Sequence, residues 1–174
     1  VRVAAVSDLN EDRLAQVKHL NPAIEVTTDY RCILRDGSID AVAIATPVAS
    51  HYDLALQALR AGKHVFVEKP ITERVEQVQH LIDEADRRCL LLHVDHTFIY
   101  SGAVRKMREL VSSGEIGDLY YYDSVRVNLG LFQTDVNVMW DLAVHDLSIM
   151  DHVLPSKVLA VSASGISHVK GRPA

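Results

Sequence analysis

The chain has 174 residues; 18 Lys+Arg against 23 Asp+Glu leave a formal net charge of −5 with His neutral, and 48% of residues are hydrophobic. That balance excludes a disordered tail and a collagenous chain, and the mild acidity argues against nucleic acid as the main partner. No run reaches the roughly 18 apolar residues of a membrane span, and residues 1–10 show no leader pattern. Cys32 and Cys89 stand apart, so reduced thiols in a cytoplasmic protein are expected.

Residues 1–6 (VRVAAV) read as a short strand stopped by Ser7 and Asp8. Residues 11–20 carry Leu14, Val17 and Leu20 at helical spacing, and Asn21-Pro22 breaks that helix. A strand over 24–28 follows, then a short helix capped by Asp29 and ending near Gly37. The run 39–45 (IDAVAIA) is nearly continuous and apolar, the pattern of a parallel strand covered on both faces. A helix over 50–61 opens on a Ser50/Asp53 capping pattern and closes at Gly62. A strand over 64–67, an amphipathic helix over 73–88 and a strand over 90–94 complete the alternation. This order predicts a doubly wound parallel α/β sheet.

The rhythm then changes. A helix over 101–112 closes at Gly114. A long aromatic strand is expected over 118–128, a helix over 138–153 and a last strand over 157–164. Segregated strands and helices suit an α+β unit, which divides the chain into residues 1–96 and 97–174. No repeat or low-complexity segment is present.

A dinucleotide-binding α/β domain opens with a strand, a G-x-G-x-x-G turn and a helix. None of the eight glycines forms that turn. Val3–Asp8 (VAAVSD) instead resembles the strand that follows it and ends in an acidic residue, so the chain reads as beginning one βα unit late. Asp8 is either that ribose-binding acid or an ordinary polar strand end.

Three clusters can carry chemistry. Glu68-Lys69-Pro70 sets a lysine at the carboxyl end of a buried strand, where open α/β sheets bind ligands, with Pro70 constraining the peptide and permitting a cis bond. Asp141 and His145 lie four apart on one helix face, and Ser148 and His152 continue the stripe. Such a stripe lines a cleft or faces solvent. His93-Val94-Asp95-His96 has the flavour of a zinc set, but a strand points His93 and Asp95 one way and His96 the other. No bound metal is expected.

Together, the stretches over 41–72 (AVAIATPVASHYDLALQALRAGKHVFVEKPIT), 94–117 and 137–150 (NVMWDLAVHDLSIM) resemble the Gfo/Idh/MocA family of nicotinamide-dependent sugar oxidoreductases. The likeness covers nearly the whole chain in the family's order. It implies a Rossmann-type sheet missing its first βα unit, followed by part of an α+β substrate domain, in a homo-oligomer that binds neither nucleic acid nor membrane. The cofactor implied is NAD. Asp8 matches the ribose-binding acid, Thr46, Pro47 and His51 the loop beside the cofactor, and Glu68 the acid of the E-K-P motif. Lys69 matches the catalytic lysine, with Asp141 and His145 as its partners in the substrate domain. His96, Asn128 and Trp140 are assigned to the substrate.

The chain departs from the family at Asn137-Val138, where many relatives carry glycines, and at Asp95, a common glycine. The segment 128–146 is similar to members acting on nucleotide-linked sugars, such as UDP-N-acetylhexosamine 3-dehydrogenases, although Val144 replaces their usual proline. The resemblance implies oxidation of a ring hydroxyl, with His145 as general base, Lys69 stabilising the alkoxide and Asp141 orienting His145 and favouring its protonated form. Without the glycine turn this chain by itself is expected to bind dinucleotide weakly and to be inactive. Two other classes remain open on sequence: a non-catalytic binding or structural chain, and a metal hydrolase using His93, Asp95, His96 and His145.

Overall fold

The structure is a computed structural model and describes residues 1–127 and 136–166. Five short strands alternate with helices: β1 (Ala5–Ser7), α1 (Glu11–Leu20), β2 (Glu25–Thr27), α2 (Tyr30–Arg35), β3 (Ala41–Ile44), α3 (His51–Arg60), β4 (His64–Val67), α4 (Val75–Arg87) and β5 (Leu92–Val94). Then come α5 (Gly102–Ser112) and α6 (Val144–Val153), the latter preceded by a π turn over Met139–Ala143. Every strand pair is parallel, as the alternation requires. The strands form two sheets, β1–β2 and β3–β4–β5, because β1 and β3 do not pair.

Local signals set several boundaries as expected. Asp29 Oδ1 accepts from Arg31 N at 3.0 Å and caps α2. Gly62 and Gly114 take φ of +80° and +73° where α3 and α5 end, a region that costs glycine least. The Ser50 capping pattern fails. Ser50 Oγ instead accepts from Thr46 Oγ1 at 2.6 Å and donates to Pro47 O at 2.7 Å, closing a 3-10 turn over Val48–Ser50 before α3 starts at His51.

The run 39–45 is covered on one face rather than two. Ile44, Val65 and Val67 pack with Ala55, Leu56 and Leu59 of α3 and with Leu81 and Ala85 of α4. The residues pointing the other way stay open: Ala41 and Ala43 are exposed, and Phe66 is 40% exposed and stacks on His93. Strand residues alternate between faces, and α3 and α4 cover only one of them.

The two expected later strands are also corrected. Neither 118–127 nor 157–166 forms a strand, and position 128 lies outside the described residues. A β ladder needs a neighbour to exchange hydrogen bonds with, and none of the described residues supplies one. Tyr120, Tyr121, Leu159 and Val161 accordingly stand well exposed.

Two buried charges fasten the α/β part. Lys63 donates from Nζ to the carbonyls of Asp36 and Ile39 at 2.6 and 2.7 Å, tying the start of β4 to the α2–β3 connection. Glu84 on α4, with a side chain 7% exposed, bonds Arg87 and Arg88, and Arg60 of α3 stands 3.9 Å away. Hydrogen bonds from Arg87 and Arg88 hold its carboxyl down to about 2.

Two outcomes follow for stability. Leu59→Ala should cost about 2–5 kcal/mol in denaturant unfolding, because the side chain is fully buried against β3 and β4. Glu84 has a depressed folded-state value, so its contribution is complete above the ordinary carboxylate value of 4.5 and fades as pH falls toward about 2. The gap in melting temperature between the parent protein and Glu84→Gln should therefore be widest near neutrality and shrink across that acid window.

Candidate active site

Within each sheet the parallel strands share one carboxyl edge, and the expected site residues of the α/β part lie at those two edges. Asp8 leaves β1, Thr46 and Pro47 follow β3, Glu68 and Lys69 follow β4, and Asp95 and His96 follow β5. Backbone bonds continue the ladder into these turns, from Glu68 N to Ile44 O and from Asp95 N to Val67 O, both 2.9 Å. The Lys69–Pro70 peptide is cis.

Lys69 reaches across to the later part of the chain. Its Nζ donates to Asp141 O at 2.7 Å and to Asp141 Oδ1 at 3.1 Å, with both side chains largely shielded from solvent. Asp141 therefore holds Lys69 and does not orient His145, to which it makes no hydrogen bond. The cause is local. Asp141 sits in the π turn, whose wider i→i+5 winding takes it out of the alignment that four-residue spacing gives in an α-helix. Asn137 Oδ1 accepts from the backbone of Met139 and Trp140 and fixes the start of this turn.

His145 is held by other groups. Its ring meets Phe98 edge-on at 4.8 Å, and Arg126 lies over Phe98 at 5.3 Å. Arg126 is in turn gripped by Asp146, with Nε to Oδ2 at 2.5 Å and Nη2 to Oδ1 at 3.2 Å, while Ser124 Oγ donates to the same carboxylate. Burial first, then the charges of Lys69, Arg126 and His96, push the His145 imidazole below its ordinary value, with Asp146 opposing them. His145 is thus neutral near pH 7, and its Nδ1 is buried with no hydrogen-bond partner. His96 is also lowered, chiefly by burial, and its Nδ1 is likewise unpartnered. Nothing in the spacing of Phe98, Ser124, Arg126 and Asp146 announces this surround, because its members come from three separate segments.

The remaining expected residues divide. Asp8 Oδ1 accepts from Asn10 N at 2.8 Å, Arg13 stands 3.5 Å from Oδ2, and the carboxylate keeps 34% exposure. Thr46 and Pro47 are exposed on the rim, whereas His51 is buried behind them at 1% exposure. Glu68 Oε2 accepts from Lys69 N at 3.2 Å. Trp140 is 36% exposed, and Asn128 lies outside the described residues. Ser148 and His152 do not join Lys69; with His96 they line a groove between the 3-10 turn over Thr97–Tyr100 and α6. Among the described residues no three His, Cys, Asp or Glu side chains are grouped to hold an ion, and no helix is long and apolar enough to cross a membrane.

The carboxyl edge fits one end of a nicotinamide dinucleotide. Asp8 keeps a partly exposed carboxylate, the kind of group that accepts from ribose hydroxyls, and Thr46 and Pro47 lie exposed just past β3. The chain holds no glycine-rich turn for a pyrophosphate.

Parallel strands whose carboxyl ends carry the candidate residues are the architecture in which open α/β folds bind their ligands. The chain belongs to the Gfo/Idh/MocA family: a model described as an oxidoreductase family with an NAD-binding Rossmann fold matches residues 1–96. It is similar to the UDP-N-acetylglucosamine 3-dehydrogenase of Acidithiobacillus ferrooxidans, 30% identical over 97% of this chain and 52% of that protein. It is also similar to the scyllo-inositol 2-dehydrogenase (NADP(+)) IolW of Bacillus subtilis, 30% identical over 78% of this chain and 37% of that one. A crystal structure of a probable dehydrogenase from Thermotoga maritima shares the fold, with 24% identity and a TM-score of 0.79 over 91% of this chain and 49% of that one. The chain spans about half the length of the curated relatives it matches.

The electrostatics give a direct test. In a histidine NMR titration, His145 should titrate below the ordinary 6.5. Lys69→Met should move its midpoint upward, since a lowering charge is removed, and Asp146→Asn should move it further down.

Proposed function

We propose that this chain is the core of a nicotinamide-dependent dehydrogenase that oxidises a ring hydroxyl of a sugar or nucleotide-linked sugar, with residues 97–174 contributing to the substrate side. The observation that carries this reading is the bond from Lys69 to Asp141, 72 residues apart, beside an imidazole with a vacant buried nitrogen.

Bound nicotinamide supplies the two-electron acceptor, and the protein's work is orientation and proton handling. His145, neutral because it is buried and flanked by cations, accepts the hydroxyl proton. Lys69 turns its remaining donor capacity toward the developing alkoxide, an electrostatic role. Asp141 fixes that ammonium through its carbonyl and its carboxylate. His96 and Trp140 are assigned to the substrate side, as is Asn128 by the family resemblance alone. Asp8 receives the adenosine ribose, which favours NAD, since a carboxylate there repels a 2′-phosphate.

The test uses the full-length protein and follows dinucleotide reduction over a panel of free sugars, inositols and nucleotide sugars. His145→Ala should lower kcat about 10²- to 10⁴-fold, and Lys69→Ala about 10²- to 10³-fold, with dinucleotide affinity nearly unchanged. Asp141→Asn should follow Lys69→Ala rather than His145→Ala, because its partner is the ammonium. Near-parental turnover in His145→Ala would remove it as the base. Binding titrations should give tighter NADH than NADPH, and Arg13→Ala should weaken only the NADPH arm, because Arg13 is the cation beside Asp8.

A further inference from the structure

His51 opens α3 and is 1% exposed, yet it makes no contact that the reaction uses. Both of its ring nitrogens face backbone carbonyls. Nδ1 lies 2.9 Å from Pro70 O and Nε2 lies 2.7 Å from Thr46 O. A carbonyl oxygen can only accept, and a neutral imidazole carries a single N–H. With one hydrogen, the other nitrogen would press its lone pair against a carbonyl oxygen at hydrogen-bond distance, leaving two buried acceptors opposed. Turning the ring over would set carbons against both oxygens and lose both bonds. Only a ring with hydrogens on both nitrogens satisfies both carbonyls, and two acceptors compensate the burial of its charge.

The two carbonyls belong to the turns that leave β3 and β4. Thr46 begins the turn closed by Ser50, and Pro70 directly follows Lys69. Glu68 and Lys69, which precede Pro70, and Asp53, in the first turn of α3, make no hydrogen bond to the ring. Glu68 is turned to Lys69 N, and Lys69 to Asp141. His51 thus joins the Thr46–Pro47 rim to the peptide that carries Lys69.

We infer that His51 is a doubly protonated, buried positioning residue that cross-ties the two turns and sets the backbone from which Lys69 reaches Asp141. The protonation rests on ring geometry and not on the proposed reaction; only its consequence for Lys69 touches that reading. The experiment keeps the two apart. In 15N-labelled full-length protein at about pH 7.5, about one unit above an ordinary histidine, both His51 ring nitrogens should resonate as N–H, assigned by through-bond correlations. One nitrogen in the unprotonated range would overturn the inference, whatever the enzyme oxidises. His51→Gln retains one donor and should let Lys69 drift, so the His145 midpoint should rise in the same direction as in Lys69→Met. An unchanged His145 midpoint in folded His51→Gln would remove the positioning role, since a residue that only adds stability would leave that titration alone. Should His51→Gln not fold, His51→Asn provides the second variant, read in the same way.

Discussion

The pairing of Lys69 with Asp141 is the constraint on which the site depends. It is the contact that joins the carboxyl edge of β4 to the turn before α6. An ammonium bonded at 2.7 and 3.1 Å to two oxygens of one residue has little freedom left, and a largely shielded pair feels a lower dielectric than a surface one. Because Asp141 neutralises Lys69, the cation can stand beside a buried imidazole without an uncompensated charge in the cleft.

His145 sits in a deliberately mixed field. Burial and three cationic or titratable neighbours disfavour its charged form, while Asp146 favours it and at the same time locks Arg126. The Arg126–Asp146 pair therefore does two things at once. It stacks a guanidinium on Phe98, which in turn presses edge-on against His145, and it cancels much of the charge so introduced. An imidazole set this way is biased toward its neutral form, the form that the proposed acceptance of a proton requires.

Much of the fold is written locally, and the parts that are not have one kind of cause. The β–α alternation through residue 94, the Asp29 cap and the glycine stops at Gly62 and Gly114 arise within a few residues of chain. Lys69 at a strand end is legible for the same reason. The one-sided burial of β3 depends on which helices lie over the sheet, and the missing ladders at 118–127 and 157–166 depend on neighbours, so apolar alternation alone overstates both. The Asp141–His145 spacing misleads because it assumes α-helical winding where the backbone takes a π turn. Ser50 misleads because a competing acceptor, Pro47 O, lies three residues back.

Residues remote from the reacting atoms divide the labour in a way the geometry makes explicit. His51 and Lys63 are both buried nitrogen donors aimed at backbone carbonyls, and each ties the start of one element to the end of another. Lys63 does so at the amino end of β4, where no chemistry occurs, and its contribution is to the fold. His51 does so at the carboxyl end of β3 and β4, one residue from Lys69, so any slack there is transmitted to the ammonium. Displacements of about an ångström in a catalytic group are costly in rate even when stability hardly changes. The carboxyl edge therefore gains most from a firm fastening, and a ring that donates at both ends supplies it by tying its two turns to one rigid plane.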